Sequence, residues 1–113
     1  MTIRAALLAA ALILPLSATA AEHGDIEAGK AKSVVCQACH GADGNGIGDP
    51  QYPLLAGQYP DYLAKALRDY KSGARDNAIM KGFASTLSDQ DMIDLAAYFG
   101  AQETRLRDLQ GIH

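Results

Sequence analysis

Two thiols and an imidazole within five positions, Cys36-Gln37-Ala38-Cys39-His40, are the residues of this sequence best suited to chemistry. Side chains three apart on a helical turn share a face, so Cys36 and Cys39 present both sulfurs to one side. His40 follows at once and can direct its imidazole at a metal held there. This is the C-x-x-C-H arrangement of covalent haem attachment, each sulfur forming a thioether to a vinyl group. Gly41 lets the backbone turn away with no Cβ to clash. Three other uses of the cysteines compete. Two cysteines in an exported chain ordinarily make one disulfide. A thioredoxin-type redox pair sits in a β-rich fold, and no strand pattern of consequence is legible here. Structural zinc wants four ligands, and the remaining histidines, His23 and His113, lie near the ends of the expected mature chain. The motif predicts one covalent haem c, held through Cys36 and Cys39 with His40 on the iron, and no disulfide.

A haem bound by His40 alone keeps a coordination position open, whereas a second strong ligand closes it and favours electron transfer. Met92 stands beside Ile93 and Leu95 in an expected helix, where a thioether reads as core. Met80 stands in the loop-like stretch Asn77-Ala78-Ile79-Met80-Lys81-Gly82, which can fold its sulfur over a ring. Met80 is therefore the predicted sixth ligand, the alternative being a further core thioether.

The elements that must position these residues are helical. A first helix is predicted from about Ile26 to Cys36, with Asp25 as its N-cap. A second begins at Pro60, carries Leu63, Leu67 and Tyr70 on one face, and stops at Gly73. A third opens on Ser88-Asp89-Gln90-Asp91, a capping-box-like start with an acidic first turn, and runs through Ile93, Ala96, Ala97 and Phe99. Between the first two, the ten residues from Gly41 to Pro50 hold four glycines and a proline. A loop of that composition and length in so small a domain needs something to wrap around. Glu103 to His113 is polar and is expected to fray. The fold class is all-α, three main helices wrapped around one covalent haem.

Residues 1–20 read as a cleaved export signal: Arg4 is the positive region, Ala5 to Leu14 the apolar run, and Ala18-Thr19-Ala20 the small-x-small site. Cleavage is expected near 20/21 or 21/22, leaving residues 21–113 as a single domain in the periplasm. The apolar run is shorter than the ~20 residues that span a membrane, so no transmembrane segment is expected in the mature chain. That mature chain has nine basic residues against thirteen acidic ones. Such a balance excludes nucleic acid as a partner, since binding it demands a basic patch or stripe.

The sequence resembles a class I cytochrome c of the bacterial subgroup that includes cytochromes c4, c5 and c553. Gly24-Asp25 through Ala28-Gly29-Lys30-Ala31 is similar to its first helix, and Cys36 to Gly41 to its haem site. Tyr52-Pro53-Leu54-Leu55-Ala56-Gly57-Gln58 resembles its central segment. Leu87-Ser88-Asp89-Gln90-Asp91 through Leu95-Ala96-Ala97-Tyr98-Phe99 resembles its last helix. The resemblance implies that the Pro53 carbonyl accepts from His40, and that Met80, seven residues before Leu87, is the ligand methionine. It also implies that Gly29 lets the first and last helices pack closely near Tyr98 or Phe99. It makes the chain an electron shuttle between redox protein partners, a monomer or weak oligomer, and not an enzyme. The alternative is a haem c subunit docked on an oxidoreductase such as a sulfur-compound dehydrogenase. A gas-sensing or peroxidatic haem is a third reading, and it requires that Met80 not be a ligand.

Overall fold

The computed structural model describes residues 23–106. The expected export signal with both cleavage positions, and His113, lie outside them. Five helices follow in order: α1 (Ile26–Lys32), α2 (Val34–His40), α3 (Pro60–Ser72), α4 (Ala78–Ala84) and α5 (Asp89–Gly100). The described residues form no strand.

The predicted first helix is in fact two. Ser33 is fully buried, and its hydroxyl donates to the Lys30 carbonyl at 2.7 Å while accepting from Gln37 Nε2 at 3.0 Å. A side chain bonding back into the preceding turn competes with the helical ladder and bends the axis. The break leaves all three residues Cys36, Cys39 and His40 on a short helix of their own. α3 matches its sequence signals, with Pro60 in its first turn and Gly73 in the left-handed conformation at φ +87° as its C-cap. α5 opens on the capping box: Ser88 Oγ accepts from the Asp91 N–H, and Asp91 accepts from the Ser88 N–H.

α5 is the buried axis. Met92, Leu95, Ala96, Tyr98 and Phe99 are all buried, and Leu63 and Ala64 of α3 pack against them. α1 crosses the other side of α5 through glycines. Asp94, also buried, accepts from the Asp25 N–H and from Gln90 Nε2, each at 2.8 Å. These hydrogen bonds hold its carboxyl below the usual carboxylate range. Lys32 pairs with Asp91 on the surface of the same contact.

A Cβ added to Gly29 would lie 2.0 Å from the Asp94 carbonyl oxygen and 2.8 Å from Tyr98 Cβ. Gly29→Ala should therefore destabilise the protein although alanine is the better helix former by about 1 kcal/mol. The clash is with backbone that cannot swing aside, so a net loss of about 1–3 kcal/mol is expected. Denaturant unfolding measures it; an unchanged or raised midpoint would mean that α1 and α5 do not approach this closely.

Candidate haem-binding site

One cavity of about 450 Å³ gathers the residues singled out above. α2 contributes Val35, Cys36, Cys39 and His40; the segment from Pro50 to Leu55 and Gln58 line it next; α3 contributes Tyr62, Leu63, Ala66 and Tyr70. Arg75 and Asn77 follow α3, and α4 contributes Ile79, Met80 and Phe83.

His40 is buried, and its Nδ1 lies 2.9 Å from the Pro53 carbonyl oxygen. A carbonyl can only accept, so Nδ1 carries the proton and Nε2 is the nitrogen left free to bind a metal. Tyr52 stands edge-on to the ring, centroids 6.4 Å apart. Gly41, at φ +88°, reverses the chain so that Gly46 N–H reaches back to the His40 carbonyl at 2.7 Å. A Cβ at Gly41 would meet the Gly46 carbonyl oxygen at 2.6 Å, so only glycine permits this return.

Met80 occupies a helix, not a loop. Asn77 caps α4 by accepting from the Met80 N–H at 3.0 Å, which fixes Met80 in the first turn. Met80 nonetheless lines the cavity from that turn. Met92 is elsewhere, fully buried in α5 and outside the cavity.

Cys36 and Cys39 are free thiols, half-buried, both facing the cavity. Burial, and then the neighbouring Cys39, push the Cys36 thiol up. A redox dithiol needs the opposite, a thiol pKa drawn down to make the thiolate. Among the described residues no three His, Cys, Asp or Glu side chains come together as a metal cluster.

The cavity does fit haem. Its volume lies among those of cofactor pockets, roughly 300–1,000 Å³. Val35, Tyr62, Ile79 and Phe83 line it while 45–60% exposed, an apolar lining left open to solvent unless a large flat group covers it. Two sulfurs, one imidazole nitrogen and one thioether are the donors c-type haem uses. The profile of the cytochrome c family matches residues 26–101. This chain belongs to the cytochrome c family. It carries haem c, attached through the cysteines of Cys36-x-x-Cys39-His40.

Cytochrome c4 from Pseudomonas aeruginosa is 50% identical over 94 residues, covering 81% of this chain and 46% of that protein. A thiosulfate dehydrogenase electron acceptor from Stutzerimonas stutzeri is 41% identical over 91 residues, covering 78% of this chain and 42% of that one. The crystal structure of reduced recombinant cytochrome c4 from Pseudomonas stutzeri superposes with a TM-score of 0.68 at 46% identity, over 74% of this chain and 48% of that one. The chain thus spans about half the length of these relatives.

Sequence reasoning missed Arg75 and Tyr62 and placed Tyr70 only on one face of its helix. No local signal marks them, since α3 and the turn after it bring them together only in the fold. Among the described residues no helix is long and apolar enough to cross a membrane.

Proposed function

We propose that this cytochrome moves single electrons between redox proteins of the periplasm and is not itself an enzyme. One observation carries the reading: α2 and α4 deliver His40 and Met80 into the same cavity as the two cysteines. Haem, when bound, supplies the one-electron couple. Cys36 and Cys39 would fix it to α2, His40 would ligate the iron through Nε2 with Pro53 orienting that imidazole, and Met80 would supply the second iron ligand. With both ligands in place no position would be left for a substrate to coordinate, and a His/Met pair would raise the potential. The protein supplies ligation, orientation and a low-dielectric lining. Export through a cleaved signal at residues 1–20 suits the periplasm, and the electron donor and acceptor are proteins.

A second reading has its own support. The similarity to a thiosulfate dehydrogenase electron acceptor favours a cytochrome that serves a sulfur-compound dehydrogenase, either as a free acceptor or docked on it as a subunit. Size-exclusion of the protein from a native envelope fraction separates a free carrier from a docked subunit.

The test of the main reading is stoichiometric. Acid–acetone extraction should leave one haem on each polypeptide with no disulfide, and reductive titration should take up one electron per chain in a single wave. Release of the haem, or zinc near one per chain, would contradict it.

A further inference from the structure

The helix that carries Met80 is anchored unequally at its two ends. α4 has seven residues, fewer than the ~12–15 that make an isolated helix even marginal in water, so its anchors decide where it lies. It rests on α3, yet Ala84 is its one buried residue. That residue stands at the far end, where Leu87 also packs against the core and its N–H donates to the Ala84 carbonyl at 3.1 Å. The near end lacks such support. Asn77, Ala78 and Ile79 are exposed, and Met80 is only half-buried. What starts the helix there is Asn77: its Oδ1 accepts from the Met80 N–H at 3.0 Å, and its carbonyl accepts from the Lys81 N–H at 2.9 Å. The capped N–H thus belongs to the predicted ligand itself, and Asn77 lines the same cavity.

We propose that Asn77 is a positioning residue for the iron site: by capping Met80 it sets how firmly the thioether excludes small ligands from the metal. The inference rests on the reading of Met80 as the second iron ligand. Without its cap the first turn of a helix keeps an unsatisfied N–H and frays more readily, and the first turn of α4 is where Met80 stands. Fraying withdraws the thioether. A small ligand that binds only the frayed form then binds more tightly, in proportion to the population of that form. The usual cost of a lost cap corresponds to about a fivefold rise in that population. The Ser88 cap of α5 is the internal comparison. Its bond to the Asp91 N–H is of the same kind, but no residue of α5 lines the cavity. Its loss weakens the fold and leaves the thioether where it is.

The experiment uses the oxidised, haem-loaded protein and the substitutions Asn77→Ala, Asn77→Ser and Ser88→Ala. Two readouts are taken: the dissociation constant for imidazole, which competes for the iron, and the midpoint of denaturant unfolding. Asn77→Ala should bind imidazole about fivefold more tightly than the unsubstituted protein. Asn77→Ser, whose hydroxyl can accept from the same N–H, should recover most of the original resistance to imidazole. Ser88→Ala should lower the unfolding midpoint and leave the imidazole affinity unmoved. An affinity unchanged by Asn77→Ala, or raised as much by Ser88→Ala, would overturn the proposal. So would Asn77→Ser behaving as Asn77→Ala does. The near-infrared sulfur-to-iron band of the unsubstituted protein keeps such a failure apart from a wrong ligand assignment. With the band present, an unchanged affinity removes only the role of Asn77. With the band absent, Met80 is not the ligand and the proposal falls with that reading.

Discussion

Met80→Ala should open the ferrous iron to carbon monoxide and lower the reduction potential, while Met92→Ala should do neither. The two thioethers differ in place. Met80 stands in the first turn of α4 and lines the cavity; Met92 is fully buried in α5 and does not. A thioether ligand stabilises ferrous iron, so its loss shifts the couple toward the ferric side. Met92 fills core volume, and truncating it should cost about 2–5 kcal/mol in stability with the iron spectrum unchanged. The discriminating signal is the weak near-infrared sulfur-to-iron band of the oxidised protein. It should vanish in Met80→Ala and survive in Met92→Ala. The reverse pattern would move the sixth ligand to Met92. A wild-type protein that lacks the band and binds carbon monoxide readily would undo the carrier reading itself.

The second large effect concerns the chain without its cofactor. A Cys36→Ser/Cys39→Ser double variant should lose most of its helical circular dichroism. Of the nine buried apolar residues described, four are alanines, and Met92 is the largest that is fully enclosed. That is a thin core for one domain, and small domains with thin cores depend on a metal, disulfides or a cofactor. α2 depends most on haem, since it packs little on other helices and its Cys36, Cys39 and His40 line the cavity, whereas α4 also rests on α3. Native-like helicity in the double variant would show that α1, α3 and α5 hold together by themselves.

Which parts of this structure could be read from the sequence follows from how local their causes are. α3 and α5 have signals within a few residues of each end: Pro60 and Gly73 for one, the Ser88–Asp91 box for the other. The break at Ser33 has no such mark. A serine inside a helical pattern becomes a break only once tertiary packing buries it and turns its hydroxyl onto Lys30. α4 is seven residues long, too short to show a period, and its one local signal was Asn77 as an N-cap. The haem motif is five contiguous residues and so was plain. Arg75 was not, because its place in the cavity depends on two tyrosines of α3 that meet it only in the fold.

The crossing of α1 and α5 also joins the two ends of the domain. Asp25 meets Asp94 across 69 positions, and Lys32 meets Asp91 across 59. Contacts so distant in sequence carry the entropic cost of closing the chain between them. Cys36 and Cys39 stand just after α1, ahead of the 49 residues that separate them from α5. The attachment site can therefore be complete on a chain whose last helix has not yet docked. Thioether formation on an open chain, followed by closure of α5 over α1, is a sequence in which the large apolar ring is never forced into a finished core.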